Sequence, residues 1–151
     1  MLLHSCTPEQ LIYSDTARKR GIDNTPSAEV RTQLQHLARC LDEVQWLLGH
    51  PLQINSGYRC AALNEAVGGA PNSQHCRGEA VDFHCPQFGS PAAIARAIAR
   101  STIDFDQCIL EYGRWVHLSI SAQPRRGLLS IYNAEIGYIA GLVAADGSVI
   151  L

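Results

Sequence analysis

The chain has 151 residues, 46% hydrophobic and 17% charged, with a formal net charge of -2 at pH 7 and a pI near 6.3. That length suits one domain with a core of its own and leaves little room for two. Of its 12 basic residues all but Lys19 are arginine, and those that gather (Arg18, Arg20, Arg125 and Arg126) are too few for a nucleic-acid-binding stripe. No run approaches the roughly 20 apolar residues of a membrane span. The opening MLLHSCTPEQL has neither the basic start nor the long apolar stretch of a secretory signal. Synthesis in the cytoplasm is expected, with no membrane insertion and no nucleic-acid partner.

Thr7-Pro8-Glu9-Gln10 predicts a helix start, with Thr as the cap, Pro in the first turn and Gln three residues on. That helical region ends near Gly21. Thr25-Pro26 opens a second helix, in which Val30, Leu34, Leu37, Leu41, Val44 and Leu48 form one apolar stripe before Gly49. Residues 52–56 alternate as a short strand, and 61–67 form a short helix closed by Gly68-Gly69. A loop follows over 70–78. Glu79 to Cys85 alternates as a strand, with Ala80, Asp82 and His84 on one face and Val81, Phe83 and Cys85 on the other. Ser90-Pro91 caps a third helix running to about Ser101. Gln107–Tyr112 and Trp115–Ile120 flank Gly113-Arg114 as a hairpin. The apolar tail from 127 to 151 predicts further strands with a turn at Asp146-Gly147. Helices first and neighbouring strands later indicate an α+β domain spanning 1–151, with an antiparallel sheet.

The six cysteines (Cys6, Cys40, Cys60, Cys76, Cys85 and Cys108) contain no CxxC pair. Without a secretory signal they are expected to be reduced, most of them serving as small buried hydrophobes.

Asp82 is the anomaly, because a carboxylate inside a sheet is costly unless it is paired or bound to a metal. Small Ala80 leaves room in front of it, and Gly78 lets the preceding loop fold His75 back toward the strand. The later segment WVHLSI places His117 at an inward-facing position. Two imidazoles and one carboxylate suit a borderline metal such as zinc. His84, which shares the face of Asp82, is a rival ligand, and Cys76 and Cys85 are softer ones.

The segments SGYRC (56–60), ALNEAVGGAPNSQHCRGEAVDF (62–83) and FDQCILEYGRWVHLSI (105–120) closely resemble the zinc D-Ala-D-Ala carboxypeptidase family (peptidase family M15). Its members include bacteriophage L-alanyl-D-glutamate endolysins and vancomycin-resistance D,D-dipeptidases. The resemblance covers about residues 7–121, with 122–151 weakly matched. Its core is S-x-H-x-x-G-x-A-x-D at Ser73, His75, Gly78, Ala80 and Asp82, followed by W-V-H ending at His117. It implies the α+β fold shared with the amino-terminal signalling domain of hedgehog proteins. It also implies one Zn2+ per chain on His75, Asp82 and His117. Arg59 stands where the family keeps an arginine near the scissile carbonyl or the substrate carboxylate, which suits a guanidinium fork. Ser73 is implied either as a hydrogen-bond donor to substrate or as the cap of the loop.

The implied activity is hydrolysis of a peptide bond in the peptidoglycan stem peptide, by a carboxypeptidase or an endopeptidase, in a monomer. A short chain without a secretory signal suits a phage or prophage lysin released to the cell wall through a holin. A carboxylate must take a proton from the attacking water, and Glu111 is the candidate. The dipeptidase branch has a glutamate three residues before the last histidine, where this chain has Arg114. A two-residue Gly113-Arg114 loop would turn Glu111 away from the metal side, because it pairs Leu110 with His117. A three-residue loop pairs Glu111 with Trp115 and Ile109 with His117, and puts Glu111 on that side. The competing readings are a non-catalytic hedgehog-like zinc module and a phage structural component.

Overall fold

The computed structural model describes residues 3–151. The chain opens with two short helices, α1 (Pro8–Ile12) and α2 (Asp15–Arg20), where one helical region was expected. The capping box at Thr7 forms: the Gln10 amide donates to Thr7 Oγ1 at 3.3 Å, and the Thr7 amide donates to Gln10 Oε1 at 2.9 Å. Ser14 then starts a second helix, its Oγ accepting from the Ala17 amide at 3.1 Å, and this second cap is what splits the region.

Helix α3 (Ala28–Leu48) begins later than Thr25-Pro26. Thr25 is held in a turn by Asp23, and Ser27 is the cap, its Oγ accepting from the Val30 amide at 3.2 Å. The predicted stripe is the buried one from Leu34 through Leu48, while Val30 is half-buried at its edge. After β1 (Gln53–Ser56) come α4 (Ala61–Ala66), a 3-10 turn at Gln74–Arg77 inside the expected loop, and β2 (Ala80–His84). Helix α5 (Pro91–Arg100), capped by Ser90, precedes β3 (Gln107–Glu111), β4 (Trp115–Ser119), β5 (Gly127–Ile131) and β6 (Tyr138–Ala140).

The architecture is α+β, with N-terminal helices and one sheet ordered β1-β2-β4-β3-β5-β6. It is mixed rather than antiparallel throughout, because β5 runs parallel to β3. Parallel neighbours usually need a long crossover. Here the link leaves from β4, whose end lies beside the start of β3, where the Asp106 amide donates to the Ser119 carbonyl. A short link from there starts β5 next to Gln107, with the Gly127 amide on the Asp106 carbonyl at 2.9 Å.

The strand registers sort the sheet into two faces. Val81, Phe83, Cys108, Leu110, Val116 and Leu118 share one face and join the core with Leu34, Leu37 and Leu41 of α3 and Ile94 and Ile98 of α5. Each such buried side chain contributes about 1.5–3 kcal/mol relative to exposure. Asp82, His117, Ile109 and Glu111 share the opposite face, away from those helices.

None of the six cysteines is paired. Cys40, Cys85 and Cys108 are buried, whereas Cys6, Cys60 and Cys76 are only half-buried, so burial holds for three rather than for most. Among the described residues no helix is long and apolar enough to cross a membrane.

Candidate metal centre and its cleft

His75 sits on the 3-10 turn. Ser73 caps this turn, its Oγ accepting from the His75 amide at 3.2 Å, and Gly78 ends it with φ +71°. A Cβ on Gly78 would also stand 3.0 Å from the Val30 carbonyl oxygen, so the sharp return onto β2 needs glycine twice over. His75 is 3% exposed, and its Nδ1 lies 2.8 Å from the Gly57 carbonyl oxygen. A carbonyl only accepts, so Nδ1 carries the proton and Nε2 is left facing Asp82. Gly57 can present that carbonyl because it packs directly on α1, where a Cβ would fall 2.3 Å from the Leu11 oxygen.

Pairing of β2 with β4 sets Asp82 opposite His117. His117 Nδ1 is 2.9 Å from Asp82 Oδ1, and His75 Nε2 is 3.3 Å from Asp82 Oδ2. The two imidazoles meet edge to face at 5.1 Å. Burial alone would raise the Asp82 carboxyl. Its contacts with His117 and His75 outweigh that and hold it well below the usual carboxylate range. One donor atom from each residue lies within 4.8 Å of the other two. Tetrahedral zinc with bonds of about 2.0–2.1 Å needs ligand atoms about 3.3 Å apart, so small side-chain adjustments bring this set into place. The three residues therefore form a group that could hold a metal ion. His84 does not join it, and its Nδ1 is buried without a partner; Cys76 and Cys85 also stand outside, with Cys85 Sγ 3.4 Å from the Pro51 carbonyl oxygen.

The hairpin has the odd loop on which Glu111 depended. Glu111 pairs with Trp115 and Ile109 with His117, leaving residues 112–114 between the strands. Tyr112 and Gly113 both take positive φ, 56° and 65°, and the Arg114 amide donates to the Glu111 carbonyl at 3.0 Å. Glu111 thus faces the metal group, with Oε1 3.7 Å from His117 Nδ1. Trp115 Nε1 donates to Glu111 Oε2 at 3.0 Å. Burial, then the Asp82 charge, raise the Glu111 carboxyl above its ordinary value; His117, Trp115 and Arg59 offset part of this.

Arg59 lines the same cleft, which has a volume of about 690 Å³. Its Nε donates to Asn64 Oδ1 at 3.1 Å, and its terminal nitrogens reach Ser56 Oγ at 3.4 Å and Ser73 Oγ at 3.5 Å. Ser73 therefore has the capping contact and lies beside Arg59.

Sequence reasoning missed the Trp115 donor, the Asn64 clamp and a network around buried Asp106 at the cleft edge. There Arg125 Nε and Nη2 each donate to Asp106 at 2.8 Å, and Gln74 Nε2 adds a bond at 3.2 Å. The Trp115 contact had a signal, since the three-residue loop places Trp115 opposite Glu111. The Asp106 network joins three distant segments and had none.

No curated protein matches the chain. The family model described as Peptidase M15 matches residues 4–119, well over half of the sequence, and those residues contain the whole His75, Asp82, His117 and Glu111 constellation. The chain belongs to the Peptidase M15 family.

Proposed function

We propose that this protein is a zinc metallopeptidase that hydrolyses a peptide bond of the peptidoglycan stem peptide. The observation that carries this reading is a carboxylate, Glu111, held at the edge of a His75–Asp82–His117 group at the floor of an open cleft.

His75, Asp82 and His117 would hold the zinc, which would supply Lewis acidity and lower the pKa of water. Glu111 Oε1 takes the proton of the attacking water and delivers it to the leaving amine. Trp115 keeps Oε2 occupied, so Oε1 is the free oxygen. Burial raises the Glu111 carboxyl above its ordinary value, the direction that makes the carboxylate a better proton acceptor. Arg59, braced by Asn64 and Ser73, binds a substrate carboxylate or the scissile carbonyl. Ser73 acts mainly through Arg59 and the turn that carries His75.

The test is mass spectrometry of purified peptidoglycan fragments incubated with the zinc-loaded protein, with and without a chelator. Chelator-sensitive loss of a terminal alanine identifies a D,D-carboxypeptidase. A chelator-sensitive cut between L-Ala and D-Glu identifies an endopeptidase of the lysin type. Intact fragments from several wall types would overturn the proposal.

A further inference from the structure

The residues after 119 lie beyond the family match, yet they return to the cleft. Strand β5 sits beside β3, and β6 beside β5, at the far side of the sheet from β1. Register places Leu129 level with Ile109, and Ile131 level with Glu111; Tyr138 pairs with Ile131. Leu129 and Tyr138 therefore stand on the sheet face that carries Asp82, His117 and Glu111, and both line the cleft. Tyr138 is 60% exposed.

This edge is firmly held. Arg125 anchors its root on buried Asp106. The Tyr112 amide donates to the Ile131 carbonyl at 2.7 Å, which ties the hairpin tip to β5. Further along, Ser130 Oγ bonds the Gly141 carbonyl at 2.9 Å, and Leu142 is fully buried in the core. An aromatic ring on so fixed a frame loses little freedom when it packs against a ligand.

The strand order also gives the cleft a direction. Arg59 follows β1 at one side and Tyr138 lies on β6 at the other, with the metal group between them. Strand β6 is three strand spacings from β4, about 14 Å, which an extended peptide covers in about four residues. A stem peptide gripped by Arg59 and cut near His117 would run on toward Tyr138.

We propose that Tyr138, backed by Leu129, is a substrate-binding residue: the C-terminal extension adds an aromatic wall to the cleft that packs against the stem peptide within about four residues of the scissile bond, opposite Arg59. This rests on the reading of the cleft as a stem-peptide site. The wall works through contact with the ring, so binding depends on it more than the chemical step does.

The test uses the full-length, zinc-loaded protein and the synthetic stem pentapeptide L-Ala-γ-D-Glu-L-Lys-D-Ala-D-Ala. Hydrolysis is measured with the wild-type protein and its Tyr138→Ala and Tyr138→Phe variants. Binding is measured by calorimetry with the same three side chains in the Glu111→Gln background. Deleting the tail would remove Leu142 from the core, so only the exposed side chain is changed. Tyr138→Ala should raise KM and Kd about tenfold with kcat within about twofold, and Tyr138→Phe should restore most of the binding. Zinc content and melting temperature should not move. Wild-type KM and Kd in Tyr138→Ala would overturn the inference while leaving the peptidase reading intact, and so would a loss in Tyr138→Phe equal to that in Tyr138→Ala. If the wild-type protein binds the pentapeptide without cutting it, the peptidase reading is decided by the fragment assay on several wall types, and the Kd comparison still decides the role of Tyr138. If no form binds it, the inference about Tyr138 falls.

Discussion

Replacing Glu111 by Gln separates the proton-transfer role from every structural one. The amide has nearly the same shape, and its oxygen can still accept from Trp115 Nε1, now at 3.0 Å from the carboxylate. Glu111 stands outside the group that could hold a metal, so the metal content of the variant should match that of wild type. What would be lost under the proposed mechanism is the base, and a general base is worth about 10²–10⁴ in rate, or about 3–5 kcal/mol of barrier. Turnover of the stem peptide should fall by that factor with KM little changed.

Stability gives an independent check on the metal-free protein. Burial and the Asp82 charge raise the Glu111 carboxyl, so the folded state holds that proton more tightly than the unfolded state does. Stability from this group is present below the unfolded pKa and falls as pH rises through the folded one. At neutral pH the ionised carboxylate is then a cost that Gln lacks. Glu111→Gln should melt no lower than wild type at pH 7, and any advantage should vanish below the ordinary carboxylate range. Product mass spectrometry, metal analysis and thermal melts at two pH values are the assays. Retained kcat would refute the proton-transfer role, and lost zinc or a lower melting temperature at pH 7 would refute the geometry behind it.

Trp115→Phe removes a hydrogen bond to the charged form of Glu111, so the acid limb of the kcat/KM profile should shift to higher pH while zinc binding is kept; an unmoved limb would show that the indole does not act on Glu111. Gly78→Ala should cost about 1–2 kcal/mol from the left-handed backbone alone, before crowding against Val30 and Leu34 is added. Its melting temperature should drop and its zinc affinity weaken, because the same turn carries His75; calorimetry and zinc titration measure both. Asp106→Asn should melt lower than wild type at pH 7, because the charged bonds to Arg125 are weakened. Arg125, first among its partners, lowers the Asp106 carboxyl, so this stability is present above the unfolded value and is lost as pH falls through the folded one. The deficit seen in melts at pH 7 should therefore close in acid.

Much of the site was legible because its signals are local. Thr7 and Gln10 cap a helix within one turn, the α3 stripe repeats at helical spacing, and Ser73, His75, Gly78 and Asp82 lie within ten residues whose turn chemistry brings them together. Other outcomes depended on pairings between distant segments. Spacing alone left His84 as a rival to His117 beside Asp82; the family motif implied His117, and the β2–β4 register puts it opposite Asp82. The orientation of Glu111 was narrowed to two hairpin loops, and positive φ at Tyr112 and Gly113, with the Tyr112 amide anchored on β5, selected the one that faces the metal group. The parallel course of β5 was hidden because it follows from where β4 ends, not from any residue in the tail. A one-residue change of register turns every side chain of a strand to the other face of the sheet. The sequence by itself therefore determined which residues could meet, and the tertiary structure decided which of them share the cleft.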